Sequence, residues 1–143
     1  MKSNEITTSQ EYVYFVDYDK VWQSIKKYNY STTLKDNIKG GHIDTLLCVL
    51  HLLEEKISNN PYTYLDKDKP EQLDLDAFRI SKLAGYESST IKNHIKKLKD
   101  LDVLFIQQLQ AEYHQGSYGI SLNPSYAFKA KPMGLILSKT VMK

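Results

Sequence analysis

The spacing of apolar residues changes several times along this chain, and each change marks a new element. Residues 11–18, EYVYFVDY, are dense in aromatic and β-branched side chains, which predicts a strand. In 19–28 the apolar positions Val21, Trp22, Ile25 and Tyr28 move to helical spacing, with Asp19 as the expected cap. NYSTTLKDNIKGG then reads as a loop ending in a glycine pair. Residues 42–57 follow as the most hydrophobic helix. Ile43, Leu46, Leu47, Leu50, Leu53 and Ile57 form one stripe, and Cys48, Val49 and Leu52 widen it. A helix that is apolar around most of its circumference belongs at the centre of a core. Beyond it, 62–65 reads as a short strand, followed by a charged loop around Pro70.

Residues 75–85, LDAFRISKLAG, predict a short helix with Phe78, Ile80, Leu83 and Ala84 apolar and Gly85 suited to its C-terminal cap. The next helix, 88–101, follows almost at once. Ile91, Ile95, Leu98 and Leu101 make its buried stripe, and the other face carries Ser88, Ser89, Lys92, Asn93, Lys96, Lys97 and Lys99, with His94. VLFIQQLQ (103–110) is a strand, AEYHQGS a hairpin tip and SYGISLN (117–123) the return strand. PSYAFKAKP continues in extended or turn-like form, and MGLILSKTVMK reads as a short helix or an extended arm.

Helix, turn, helix, strand, hairpin tip and strand, in that order, predict a winged helix-turn-helix. The expected fold class is α+β, a single winged-helix domain over 1–143. It has a flexible N-terminus (1–9), an N-terminal strand and helix extension, a helix-turn-helix (76–101), a wing hairpin (103–123) and a C-terminal arm (132–143). Ile91, Ile95 and Leu98 are expected to pack on Ile80, Leu83 and the Leu46, Leu50 and Leu53 face of the central helix.

Composition narrows the function classes. With 143 residues, 41% hydrophobic and 25% charged, the chain can build a real core. No apolar run approaches the ~20 residues that span a bilayer, and the polar start MKSNEITTSQ lacks the apolar stretch of a signal peptide. Cys48 is the only cysteine, which excludes an internal disulfide framework. A reduced, cytoplasmic protein with no membrane partner is expected. The net charge of +2 says little, but its distribution says more. Residues 1–75 hold 9 Lys+Arg against 12 Asp+Glu, and residues 76–143 hold 10 against 5. One basic half suits an anionic partner. Serine, asparagine and lysine near a helix N-terminus can reach base edges and phosphates, so double-stranded DNA is the expected partner.

The stretches ISKLAGYESSTIKNHIKKLKDLDVLF (80–105) and GSYGISLNPSYAFKAK (116–131) carry a resemblance. The chain resembles the winged-helix replication initiators of small Gram-positive plasmids, the RepL-like type. Gly116, Tyr118, Asn123, Pro124, Phe128 and Lys129 match that family's return from the hairpin into an Asn-Pro segment and an aromatic-lysine pair. The resemblance implies DNA binding on a plasmid or other mobile element, with replication initiated by recruiting host proteins. By position it puts Ser88, Ser89 and Thr90 at the entry of the recognition helix, in or against the major groove. Lys92, Asn93 and Lys96 fall one turn further, and Lys97 falls near the DNA backbone. Asn93 offers a donor and an acceptor, which suits adenine, whereas the serines specify weakly.

Some residues depart from that pattern. Glu87 holds the cap position usual for Ser or Thr; a carboxylate favours the helix dipole but repels phosphate. The recognition helix has no arginine for guanine. The wing tip, 111–115, contains Glu112 and no Lys or Arg, which leaves the wing either off the DNA or against protein. Two rivals therefore stand: a transcriptional repressor or transfer-operon regulator on the same fold, and a winged-helix protein-interaction module without DNA binding.

Other chemistry is set aside. Cys48 and His51 sit three apart with His42 nearby, but two metal ligands without a third make no site, and a small core cysteine is the simpler reading. The chain has 11 tyrosines but no His-apolar-His pair of a nicking enzyme. It has no G-x-x-x-x-G-K-[ST] phosphate loop and no arguable catalytic triad. No enzyme, metal or cofactor is inferred. The EYVYFVDY aromatics read as core packing, with Glu11, Asp17 and Asp19 disfavouring phosphate. The apolar GLILSKTVM (134–142) can pack within the chain or join two subunits, and a homodimer would suit paired half-sites. Host replication or transcription proteins are further expected partners.

Overall fold

Strand β1 (Val13–Val16) opens the part of the chain that the computed structural model describes, residues 12–109 and 116–131. The expected flexible N-terminus (1–9), the wing tip with Glu112 and the C-terminal arm (132–143) lie outside the described residues. Helix α1 (Tyr18–Ser31) is capped by Asp17 rather than by the expected Asp19: Asp17 Oδ1 accepts the Lys20 N–H at 3.1 Å. Asp19 already lies in the first turn, where a carboxylate favours the helix dipole. Val21 and Ile25 are buried, but Trp22, expected beside them, is 49% exposed. Adjacent helical residues point about 100° apart, and on this helix the core-facing stripe takes Val21 and Ile25 and leaves Trp22 at its edge.

The expected loop before the central helix is shorter than its composition suggests. A short 3-10 turn (Leu34–Asp36) follows α1, and the glycine pair opens α2 (Gly40–Asn59) instead of closing the loop. Asn29 holds the connection in place: its side chain accepts from Ile38 N at 2.6 Å and donates to Ile38 O at 3.0 Å. Helix α2 buries Leu46, Val49, Leu50, Leu53 and Ile57, whereas Leu47, expected in the stripe, turns outward. The strand expected at 62–65 is a helical turn, α3 (Pro61–Tyr64). Pro61 occupies its start, where a locked φ and a missing N–H cost nothing.

Residues 73–76 correct the expected helix 75–85. They form strand β2 (Leu73–Asp76), in which Leu75 is buried and both aspartates are exposed. Asp76 then caps α4 (Ala77–Ala84) by accepting the Arg79 N–H at 2.7 Å. Gly85 closes α4 with φ 81°, a left-handed conformation suited to glycine. Helix α5 (Ser88–Leu98) follows, shorter than the expected 88–101, with Ile91, Ile95 and Leu98 buried and Leu101 buried beyond its end. Ile80 joins them, but Leu83, expected in that contact, is 57% exposed, and Phe78 is exposed too.

Strands β3 (Leu104–Gln108) and β4 (Ser117–Leu122) complete an antiparallel sheet in the order β2-β4-β3, with Ile120 opposite both Leu73 and Ile106. After a 3-10 turn (Pro124–Tyr126), β5 (Ala127–Ala130) pairs antiparallel with β1, setting Phe15 opposite Phe128. The fold is α+β, helices with two small antiparallel sheets. Its core joins Leu46, Leu50 and Leu53 of α2 to Ile80, Ile91, Ile95 and Ile120. Each such fully buried side chain contributes roughly 1.5–3 kcal/mol. Among the described residues no helix is long and apolar enough to cross a membrane.

Candidate nucleic-acid interface

The apolar stripe of α5 turns inward, and five of its polar positions turn outward together. Ser89, Lys92, Asn93, Lys96 and Lys99 line a groove of about 470 Å³ whose other wall includes Gln108 of β3 and Tyr118 of β4. Positions spaced by three and four residues share one helix face, which explains why these five coincide. Gly116, where the hairpin returns, lies against the Lys92 stem. Its carbonyl accepts the Ala77 N–H at 2.8 Å, which ties the hairpin to the start of α4.

The N-terminus of α5 has no side-chain cap, since Glu87 makes no capping hydrogen bond. The first N–H groups of any helix lack intrahelical partners, and here they carry the positive end of the helix dipole. Lys96 and Lys97 sit in the last turn, where cations complement the opposite end.

Four of the seven residues singled out from sequence come together in this groove: Ser89, Lys92, Asn93 and Lys96. Ser88 and Thr90 are half-buried at the helix entry and are not part of its lining. Lys97 points elsewhere. Its Nζ donates to Tyr28 Oη at 3.4 Å and lies 5.5 Å from the centre of that ring, and Tyr28 Oη donates to Asp100 Oδ2 at 3.1 Å. Lys99, Gln108 and Tyr118 were not among the candidates. Helical period alone could have found Lys99; Gln108 and Tyr118 lie in the two expected hairpin strands and face each other there, but their place against α5 is set by tertiary packing.

His94 corrects the expected outer face. It is buried, sharing a hydrogen bond with Thr45 Oγ1 at 2.7 Å from Nδ1. Its ring meets His42 edge-on at 4.9 Å and Tyr86 at 5.1 Å. Gly41 leaves room for it, since a β-carbon there would fall 3.1 Å from the imidazole. His42 Nδ1 accepts the Lys39 N–H at 2.9 Å, and Tyr86 Oη donates to Asp44 at 2.6 Å. Burial lowers both histidines below their ordinary range. His94 and Lys97 lower His42 further, and Asp44 partly opposes the shift of His94. The cluster joins the first turn of α2 to the middle of α5 and so sets the rotation of the groove-bearing helix. Among the described residues no group of three or more His, Cys, Asp or Glu is placed to hold a metal, and Cys48, His51 and His42 form none.

The far end of α5 is anchored by aspartates. Asp102 Oδ1 accepts from Ser24 at 3.1 Å and from Tyr126 at 2.5 Å, while Asn123 Nδ2 donates to Asp102 O at 2.8 Å. The Asn-Pro segment thereby fastens the end of β4 to the turn after α5. No protein-family model matches the chain, and no curated protein or solved structure matches it.

Proposed function

We propose that this chain is a winged helix-turn-helix protein that binds double-stranded DNA with α5 in the major groove. The observation that carries the reading is the groove between α5 and the hairpin, in which Ser89, Lys92, Asn93, Lys96 and Lys99 share one face. The order β2, α4, turn, α5, β3, β4, with sheet order β2-β4-β3, supports the winged-helix topology. Lys92, Lys96 and Lys99 neutralise phosphates and release counterions, giving salt-sensitive affinity for any sequence. Asn93 and Ser89 reach base edges, Asn93 with the donor and acceptor that match adenine. Lys97 acts from behind, holding Tyr28 and the turn after α5.

The resemblance in 80–105 and 116–131 supports a role on a plasmid or other mobile element, most simply replication initiation. The same contacts would serve a repressor or transfer-operon regulator. A protein-interaction module is favoured by one feature, the acidic Glu87 at the entry of an arginine-free helix.

Fluorescence anisotropy with a labelled random duplex at low and moderate salt tests the reading. Binding that weakens with salt and is lost in Lys92→Ala/Lys96→Ala is expected. Equal binding by both proteins, or none at low salt, rejects it.

A further inference from the structure

The chain's only tryptophan is left half out of the core. Trp22 is 49% exposed, although tryptophan is on average a well-covered side chain. Two turns further along α1, Tyr30 is 94% exposed. Lys26 lies midway between them and Lys27 follows it, both exposed. Residues four apart lie along one helix face, so Trp22, Lys26 and Tyr30 form an outward row about 12 Å long at ~1.5 Å per residue. Among the described residues none of these four side chains has a hydrogen bond, an ion pair or a ring contact. Other exposed rings do have partners: Phe128 meets Phe15, Phe78 meets Lys82 and Tyr12 meets Lys129.

The inner side of α1 holds this row in place. Val21 and Ile25 are buried, Ser24 Oγ donates to Asp102 Oδ1 at 3.1 Å and Tyr28 Oη to Asp100 Oδ2 at 3.1 Å. Positive charge gathers here as well. Residues 19–39 hold 5 lysines against 2 aspartates, whereas the rest of residues 1–75 hold 4 Lys+Arg against 10 Asp+Glu. Asp19, at the start of α1, is the one acid on the helix. No residue of the row lines the groove on α5.

Rings open to water beside unpaired lysines suit a ligand that is both anionic and flat-faced. A single nucleic-acid strand is such a ligand, because its bases stack on aromatic side chains while its phosphates meet the cations. A duplex does not fit, since its bases already stack on one another. A lipid surface fits poorly: an interfacial helix sinks an apolar face, and the exposed positions of α1 include no aliphatic side chain. We propose that the outward face of α1 is a second nucleic-acid site, for a single strand, with bases stacked on Trp22 and Tyr30 and phosphates held by Lys26 and Lys27. It is separate from the duplex site proposed on α5 and stands whether or not that reading holds.

Trp22 reports on its own site, because no other tryptophan contributes to the emission. The full chain is titrated at low salt with oligothymidylate and with oligouridylate of about 12 nucleotides, within the span of such sites. Saturable quenching of Trp22 by one or both is expected, and the tighter of the two names the strand as DNA or RNA. Tyr30→Ala should raise Kd about fivefold or more, as for the loss of one stacked base. Lys26→Glu/Lys27→Glu should weaken binding and flatten its salt dependence. Both variants change exposed side chains and should melt like the parent by circular dichroism. Lys92→Ala/Lys96→Ala should bind the single strands as the parent does, and random duplex should leave the Trp22 emission unchanged. No quenching by either strand, or parent-like affinity in both α1 variants, would overturn the proposal. Loss of single-strand binding in Lys92→Ala/Lys96→Ala would overturn it too, by moving the strand to α5. So would a blue shift of Trp22 on phosphatidylserine vesicles with no response to either strand, which would make α1 a lipid-facing helix.

Discussion

Lys92 lies across Gly116 so closely that a β-carbon on the glycine would fall 2.9 Å from Lys92 Cε and 3.2 Å from Ala77 Cβ. The bare glycine is what lets the lysine stem run along the hairpin. Gly116→Ala should push the flexible lysine end aside and also press on the buried Ala77 Cβ, which has little room to give. We expect a loss of about 1–3 kcal/mol in a urea melt, as for an overpacked contact, together with measurably weaker binding of the folded variant to random duplex DNA. Unchanged DNA affinity would show that Lys92 works equally well from another rotamer.

Lys96 and Lys97 are neighbours in sequence with different partners in space. Lys96→Ala should lower the slope of log K against log salt by about 0.9, the value for one phosphate contact. Lys97→Ala should leave that slope unchanged. It should instead lower stability by roughly 0.5–1 kcal/mol through the lost contact with the Tyr28 ring. Measuring slope and melting for both variants separates the two roles, and a slope change in Lys97→Ala would return that residue to the DNA face.

Asn93 is exposed on the groove wall and supports nothing in the core. Asn93→Ala should melt like the parent. Against a selected site it should relax preference at one base pair, where a bidentate contact is worth about 1–3 kcal/mol of discrimination. A binding-site selection on parent and variant reads this directly, and identical preferences would place Asn93 away from base edges.

His42 and His94 make stability depend on pH. Both have folded pKa values lowered by burial, so between those values and the ordinary 6.5 the unfolded chain binds more protons. Stability conferred by the neutral pair is complete above about pH 6.5 and is lost as pH falls through that window. Urea midpoints should therefore drop from about pH 7.5 to about pH 5.5. His42→Asn keeps an acceptor for the Lys39 N–H but does not titrate, so its drop should be smaller. An equal drop in parent and variant would remove His42 from the pH response.

The helices that carry the candidate site were legible because their periods are strong. Ile91, Ile95 and Leu98 turned inward as spaced, and Ser89, Lys92, Asn93 and Lys96 therefore turned outward. Gly85 marked the end of α4 by its freedom to take positive φ. What failed were positions where two periods fit the same letters. LDLD at 73–76 alternates like a strand, yet its second half abuts a helical pattern without a break, so the expected helix 75–85 takes in Leu75 and Asp76. PYTY has strand-like composition, but Pro61 at its head favours a helical turn. His94 sits where the helix wheel grades from polar to apolar, and only Thr45, His42 and Tyr86, all distant in sequence, decide that it is buried. The contact of Lys97 with Tyr28 was equally hidden: nothing near it in the chain announces that ring.

The junction at Asp76 has no slack. Strand β2 ends on that residue and α4 begins on the next, with Ala77 N held by Gly116 O at 2.8 Å. The hairpin is thus a lever welded to the helix pair, and a push on it is delivered as torque to α4 with no hinge to absorb it. Inserted residues are tolerable in the exposed stretch 66–69, upstream of the strand. A single residue added between Asp76 and Ala77 would instead rotate the whole helix pair against the sheet.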